Sequence, residues 1–316
     1  MKFMINKSQK LKFEPFFGLT SKHLQMIIAA FLPGGKAPQS SEMLIDIGGG
    51  DQLSCLVSTP PKWKINHTTV IMIHGLGGSH DSRYMVRMAR KLYDKNYKVV
   101  RVNLRGSGTG KGLSKLPYNA GNSHDVLKVI QDLKKTVPTS DIILIGFSLG
   151  GNTALKLAGE LGKNAVSLIK SVIAVCPPFD LEYTVLTMKK KKYQLYQKYY
   201  LKGISKQSLP WTTEKFKSIH DFDENVTGPL WGYTNAQDYY LNNSSMHFIS
   251  SITVDTHILC AEDDPFVSLK ALENISFSNN VHLWTTEYGS HMGFLGRTNF
   301  QWVDKLLIKW IEKKED

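Results

Sequence analysis

Short apolar runs alternate with amphipathic stretches along most of the chain. Residues 70–73, 98–104, 142–145, 168–175, 256–261 and 281–287 read as strands. Between them, residues 82–95, 125–135 and 152–161 carry helical spacing, and residues 302–312 form a closing amphipathic helix. The strand runs are apolar throughout rather than alternating, which predicts cover on both faces. Strand–helix alternation of this kind predicts an α/β fold: a mostly parallel central sheet with helices on both faces. Two further strands, 43–47 and 53–58, flank Gly48-Gly49-Gly50-Asp51 and read as a hairpin. Residues 1–40 read as an N-terminal arm. It holds a short helix over 21–28, capped by Thr20 or Ser21 and stopped by Pro33-Gly34-Gly35.

Residues 179–250 break the rhythm. They are rich in Lys and Tyr, carry Trp211 and Trp231, and show helical runs without convincing strands. An inserted helical cap is predicted there, over the sheet's carboxyl edge, where α/β folds bind ligands. The expected organisation is an arm (1–40), a core in two pieces (41–178 and 251–316) and the cap (179–250).

Composition narrows the class. Hydrophobic residues make up 42% of the chain, enough for a sizeable core. No apolar run reaches the roughly 18 residues that span a bilayer. The opening Met1-Lys2-Phe3-Met4-Ile5-Asn6-Lys7 has no apolar h-region, so no signal peptide is expected and a cytoplasmic location follows. Cys55, Cys176 and Cys260 lie far apart in or beside apolar segments and read as buried free thiols in a reducing compartment. The net charge of +12 is largely lysine, densest at Lys189-Lys190-Lys191-Lys192. The run reads first as a solvated cap surface; it also permits peripheral contact with an anionic membrane. No nucleic-acid-binding motif accompanies the charge. No metal-ligand spacing occurs, and no cofactor is expected.

One segment carries candidate chemistry. The apolar run 142–145 meets Gly146-Phe147-Ser148-Leu149-Gly150-Gly151, and a helix former stretch follows. A sharp strand-to-helix turn needs small residues on either side of the serine, and it leaves the hydroxyl exposed at the sheet's edge. A serine hydroxyl is a weak nucleophile near neutrality. It needs a base to take its proton and an acid to orient that base. Downstream strand ends supply candidates. Glu262, Asp263 and Asp264 follow one strand, and His291 follows the last in Tyr288-Gly289-Ser290-His291-Met292-Gly293. Adjacent acidic residues point in different directions, so they cannot all serve. His74 also ends a strand, but it precedes the serine; it reads as support for the loop His74-Gly75-Leu76-Gly77-Gly78. The amides of Leu149 and Leu76 are the expected oxyanion donors. Arg105 reads as a tie between loops.

Together these segments resemble the α/β-hydrolase superfamily, and more finely the YheT-like branch of predicted esterases. The resemblance rests on His23-Leu24-Gln25, the His74–Gly78 loop, Asn103-Leu104-Arg105-Gly106, the serine turn, Pro178-Phe179-Asp180-Leu181 and Asp263-Asp264-Pro265-Phe266. It covers nearly the whole chain. The family usually has threonine after the arm's glutamine, where this chain has Met26, which leaves the arm's role open. The resemblance implies an α/β-hydrolase fold, a Ser148–Asp264–His291 triad and hydrolysis of carboxylic esters, short- to medium-chain or lipid-like, without a cofactor. A small-molecule ester is the expected partner. A non-catalytic binding protein on the same fold, or an acyltransferase or thioesterase, are the alternatives.

Overall fold

The computed structural model describes residues 8–208 and 211–313; the opening segment read for a leader lies outside them. One sheet organises the molecule. Among the described residues its strands are β1 (Ser8–Lys10), β2 (Ser41–Gly48), β3 (Asp51–Ser58), β4 (Thr69–Ile73), β5 (Lys98–Val102), β6 (Ile142–Phe147), β7 (Ser171–Val175), β8 (Asp255–Ala261) and β9 (Val281–Thr286). Their order is β1-β9-β8-β7-β6-β4-β5-β3-β2. The pairs from β1 through β5 are parallel, and β3 is antiparallel to both β5 and β2.

The apolar strand runs are explained by burial on both sides. In β4, Val70 and Met72 join one apolar cluster while Ile71 and Ile73 join the other. Helices α2 (Arg83–Asp94) and α10 (Trp302–Glu312) cover the first face with Met85, Met88, Leu92, Leu306 and Leu307. Helices α3 (Ser123–Thr136) and α4 (Leu149–Leu161) cover the second with Val126, Ile130, Leu155 and Ala158. A core closed by helices on both faces leaves the strand ends as the place where function is built.

Four expectations needed correction. The arm holds α1 (Lys22–Phe31), but it also contributes β1, whose Ser8 registers with Leu283 of β9. The run 98–104 stops as a strand at Val102, and the run 168–175 begins as one only at Ser171, because Leu104 and Leu168 are apolar residues of turns. Helix α4 begins at Leu149, directly after the serine, not at Asn152.

Between β7 and β8 lie α5 (Leu181–Met188), α6 (Gln194–Ser208), α7 (Ile219–Phe222), α8 (Gly228–Leu230) and α9 (Ala236–Asn243). Asp180 caps α5, accepting from the Tyr183 amide at 2.9 Å, and Asn235 caps α9 in the same way through Asp238. Leu181, Val185, Ile204, Ile219, Phe222 and Tyr240 of these helices pack onto Tyr118, Leu149 and Phe266 at the strand ends. The lysine run 189–192 is exposed on their outer side. Arg105 braces the same region. Its guanidinium pairs with Asp51 (2.5 Å) at the start of β3 and Asp125 (2.6 Å) in α3, and Trp231 stacks on it. All three cysteines are buried and free.

Candidate active site

Ser148 sits between β6 and α4 with φ 51° and ψ −118°, a strained conformation for a residue with a side chain. The turn is held from outside. The Ser148 amide donates to Val175 O at 2.8 Å, in the neighbouring strand β7. Gly150 faces the carbonyl end of β4 so closely that a Cβ there would land on Ile73 O. Gly146 faces the Gly150 carbonyl equally closely. The glycines thus let helix and strand approach until the serine projects.

The structure brings residues from three strand ends onto one line. Ser148 Oγ lies 2.8 Å from His291 Nε2, and His291 Nδ1 lies 2.8 Å from Asp264 Oδ2. With Nδ1–H donated to the carboxylate, Nε2 is free to accept the serine proton. Asp264 is itself fixed: its Oδ1 accepts from the amides of Phe266 (2.8 Å) and Val267 (3.1 Å). Asp263 has a different partner. Its Oδ1 accepts from the Ser290 amide at 2.7 Å, which ties the acidic loop to the histidine loop. Burial, then the neighbouring Asp264 charge, raises the Asp263 pKa. Glu262 is at the surface, paired with Lys10.

Strain is concentrated here. Of seven described non-glycine residues with positive φ, five are Ser148, Cys176, Ser290, Met292 and Phe294, all next to this line. Cys176 Sγ comes within 4.8 Å of the Asp264 and His291 ligand atoms. Burial pushes its thiol well up, so it stays protonated and is a poor metal ligand.

Leu149 is the first residue of α4, so its N–H has no carbonyl one turn earlier to bind. The Leu76 amide makes no hydrogen bond among the described residues. Both residues line one cleft with Ser148 and His291. His74 steadies the Leu76 loop. It accepts from the Leu104 amide through Nε2 (3.2 Å) and donates from Nδ1 to Gly75 O (2.8 Å). Burial drives its pKa down to about 4, which keeps it neutral for that task.

Comparison with known proteins decides the family. A model described as alpha/beta hydrolase fold matches residues 68–241, more than half of the chain. The chain belongs to the α/β-hydrolase fold family. It is similar to the YheT protein of Escherichia coli (strain K12), 26% identical over 96% of this chain and 94% of that one. It is 27% identical to a monoacylglycerol lipase of Saccharomyces cerevisiae over 77% of this chain, spanning 58% of the lipase's length. Among solved structures, the Pyrococcus furiosus esterase Pf2001 superposes with a TM-score of 0.60 at 19% identity, over 87% of this chain and 90% of that one, a likeness of fold.

The sequence reading gave no role to two site features of this α/β-hydrolase. The first is Gln25 of the arm. It is fully buried, its Nε2 donates to Leu19 O (2.9 Å), and its Oε1 accepts from the Leu295 amide (2.8 Å). The arm therefore pins the loop that carries His291. Neighbouring His23 stacks on Tyr196 of α6, so the arm also touches the helices over the cleft. The His-Leu-Gln triplet was the available signal; only the fold shows what it holds.

The second is Asp223, buried in the cleft wall with Tyr118 and Tyr240. Burial lifts its pKa to about 7 against the pull of three hydroxyl donors. The folded protein thus keeps a proton that the unfolded chain releases near pH ~4. More protons in the folded state mean that this group lowers stability as pH rises from about 4 to 7, and adds no further loss above that. Thermal melts should show a smaller fall in Tm between about pH 5 and pH 8 for Asp223→Asn than for wild type. Parallel profiles for the two proteins would contradict the assignment.

Proposed function

We propose that this α/β-hydrolase is a serine hydrolase that cleaves carboxylic esters through an acyl-enzyme. The observation that carries this reading is the unbroken line Ser148–His291–Asp264, with 2.8 Å at each link. Ser148 Oγ attacks the ester carbonyl as His291 Nε2 takes its proton. Asp264 holds the imidazole in the tautomer that can accept and stabilises the imidazolium that forms. The amides of Leu76 and Leu149 receive the oxyanion. His291 then protonates the departing alcohol, and water, deprotonated by the same imidazole, releases the acid.

The cleft supports the substrate class. Its lining includes Leu76, Leu149, Leu181, Val185, Met188 and Ile219, which suits a short- to medium-length aliphatic or lipid-like group. The helices of residues 181–243 act as the cap that shields it from water. Their outer side adds a partner. Leu195 and Tyr199 are 82% and 66% exposed near the lysine run, a combination suited to an anionic lipid surface. No helix among the described residues is long and apolar enough to cross a membrane.

A series of p-nitrophenyl esters from acetate to dodecanoate tests the reading. Turnover should rise from acetate to a maximum at medium chain length; a flat series at the buffer rate would refute it. Monooctanoylglycerol presented in anionic vesicles should be cleaved faster than in zwitterionic ones. Equal rates would remove the lipid surface but leave the esterase.

A further inference from the structure

We propose that Asp223, with the phenols of Tyr118 and Tyr240, forms a polar subsite in the cleft that selects esters bearing a free hydroxyl group. This deepens the esterase reading and rests on it. Asp223, Tyr118 and Tyr240 line the same cleft as Ser148 and His291, in walls that are otherwise largely apolar. Each is 5% exposed or less.

The carboxyl is held by hydroxyls. Oδ1 accepts from Thr227 Oγ1 (2.9 Å) and from Tyr118 OH (3.3 Å), while Oδ2 accepts, among the described residues, only from Tyr240 OH (2.8 Å). Among the described residues no lysine, arginine or histidine forms an ion pair with it. A carboxylate has about four acceptor positions, so three donors leave one unused, on Oδ2. Backbone geometry sets the group apart as well. Asp223 opens a single turn of π-helix, Asp223–Thr227, between α7 and α8; such turns recur at functional sites.

A hydrocarbon chain lodged against this wall would strip water from a carboxyl without replacing the hydrogen bond, which is unfavourable. A substrate hydroxyl replaces it by donating to Oδ2. With its pKa raised to about 7, a fraction of Asp223 is ionised near neutrality, and that form has the spare acceptor position on Oδ2. An ammonium group fits less well, because it would lose its hydration in an apolar cleft against a carboxyl that is only partly ionised.

The hydroxyl can belong to the acyl chain or to the alcohol, and paired substrates separate the two. For the acyl side, p-nitrophenyl ω-hydroxyoctanoate is compared with p-nitrophenyl octanoate. For the alcohol side, monooctanoylglycerol is compared with ethyl octanoate. In at least one pair the hydroxylated ester should be preferred in kcat/KM by ~10–100-fold, the range of a hydrogen bond to a charged group. Asp223→Leu should abolish that preference, bringing kcat/KM for the hydroxylated ester down to that for the plain one; Tyr240→Phe should reduce it. Equal kcat/KM within both wild-type pairs would overturn the proposal without needing any variant to fold. So would a variant that slows both members of a pair equally, the mark of a structural brace. Stronger preference for p-nitrophenyl ω-aminooctanoate would overturn the choice of hydroxyl. Wild-type protein inert toward every ester would instead bring down the parent reading.

Discussion

Asp264→Asn should lower kcat by about 10⁴-fold with the fold intact, while Asp263→Asn should cost no more than about tenfold. The difference comes from what each carboxyl already holds. Asp264 Oδ1 is committed to two amides, those of Phe266 and Val267. An asparagine would keep its carbonyl oxygen on those amides and so turn its NH₂ toward His291. An NH₂ facing Nδ1 forces the imidazole to carry its proton on Nε2, where it can no longer accept from Ser148. Asp263 gives the opposite case. Its recorded bond is to the Ser290 amide, and an asparagine oxygen accepts that bond equally well. Steady-state kinetics on an ester that the wild type turns over, with circular dichroism as the check on folding, separates the two. Comparable losses in both variants would mean that the acid role is shared or misassigned.

Gly150→Ala should be among the most damaging single changes to the scaffold near the site. The added methyl would land on Ile73 O and within 2.7 Å of His74 O, both backbone atoms that no rotamer change can move. Helix α4 and strand β4 would have to separate, at a cost of about 3 kcal/mol or more, the upper range of overpacking. The same displacement would shift the loop carrying Leu76, so activity should fall further than stability alone explains. Gly151→Ala is the comparison: its nearest contacts would be Pro177 Cβ at 3.1 Å and Gly146 O at 3.2 Å, tight but relieved by a shift of a few tenths of an ångström. Denaturant midpoints should fall clearly for Gly150→Ala and less for Gly151→Ala; equal midpoints would show that the close approach is not limiting.

The architecture was legible wherever burial wrote a pattern. Strands β4 to β9 announced themselves because both faces are covered, and the hairpin because glycines separate two short runs. Strand β1 gave no such sign. Ser8, Gln9 and Lys10 are polar and exposed, and only backbone pairing with β9 makes them a strand. Leu104 and Leu168 misled in the other direction, as apolar residues that pack from turns.

Site legibility divided along the same line. Ser148 and His291 stand at strand ends bounded by glycine, a local signature. Which of two adjacent aspartates faces the imidazole is a tertiary fact, set by the amides of Phe266 and Val267. Gln25 and Asp223 were harder still. A glutamine or an aspartate within a helical stretch looks like solvent-facing surface until the fold buries it. The sequence resemblance drew the eye to Gln25 without supplying its reason, and nothing local singled out Asp223.

The central claim is that Ser148 is the activated nucleophile. Fluorophosphonate treatment followed by intact-mass and peptide analysis addresses it directly, because the reagent reacts with a serine only when a base has activated it. Wild-type protein should gain a single phosphonyl adduct on Ser148, and Ser148→Ala should gain none while melting at a similar temperature. Folded wild-type protein that takes up no label, or takes it up at a different residue, would contradict the account.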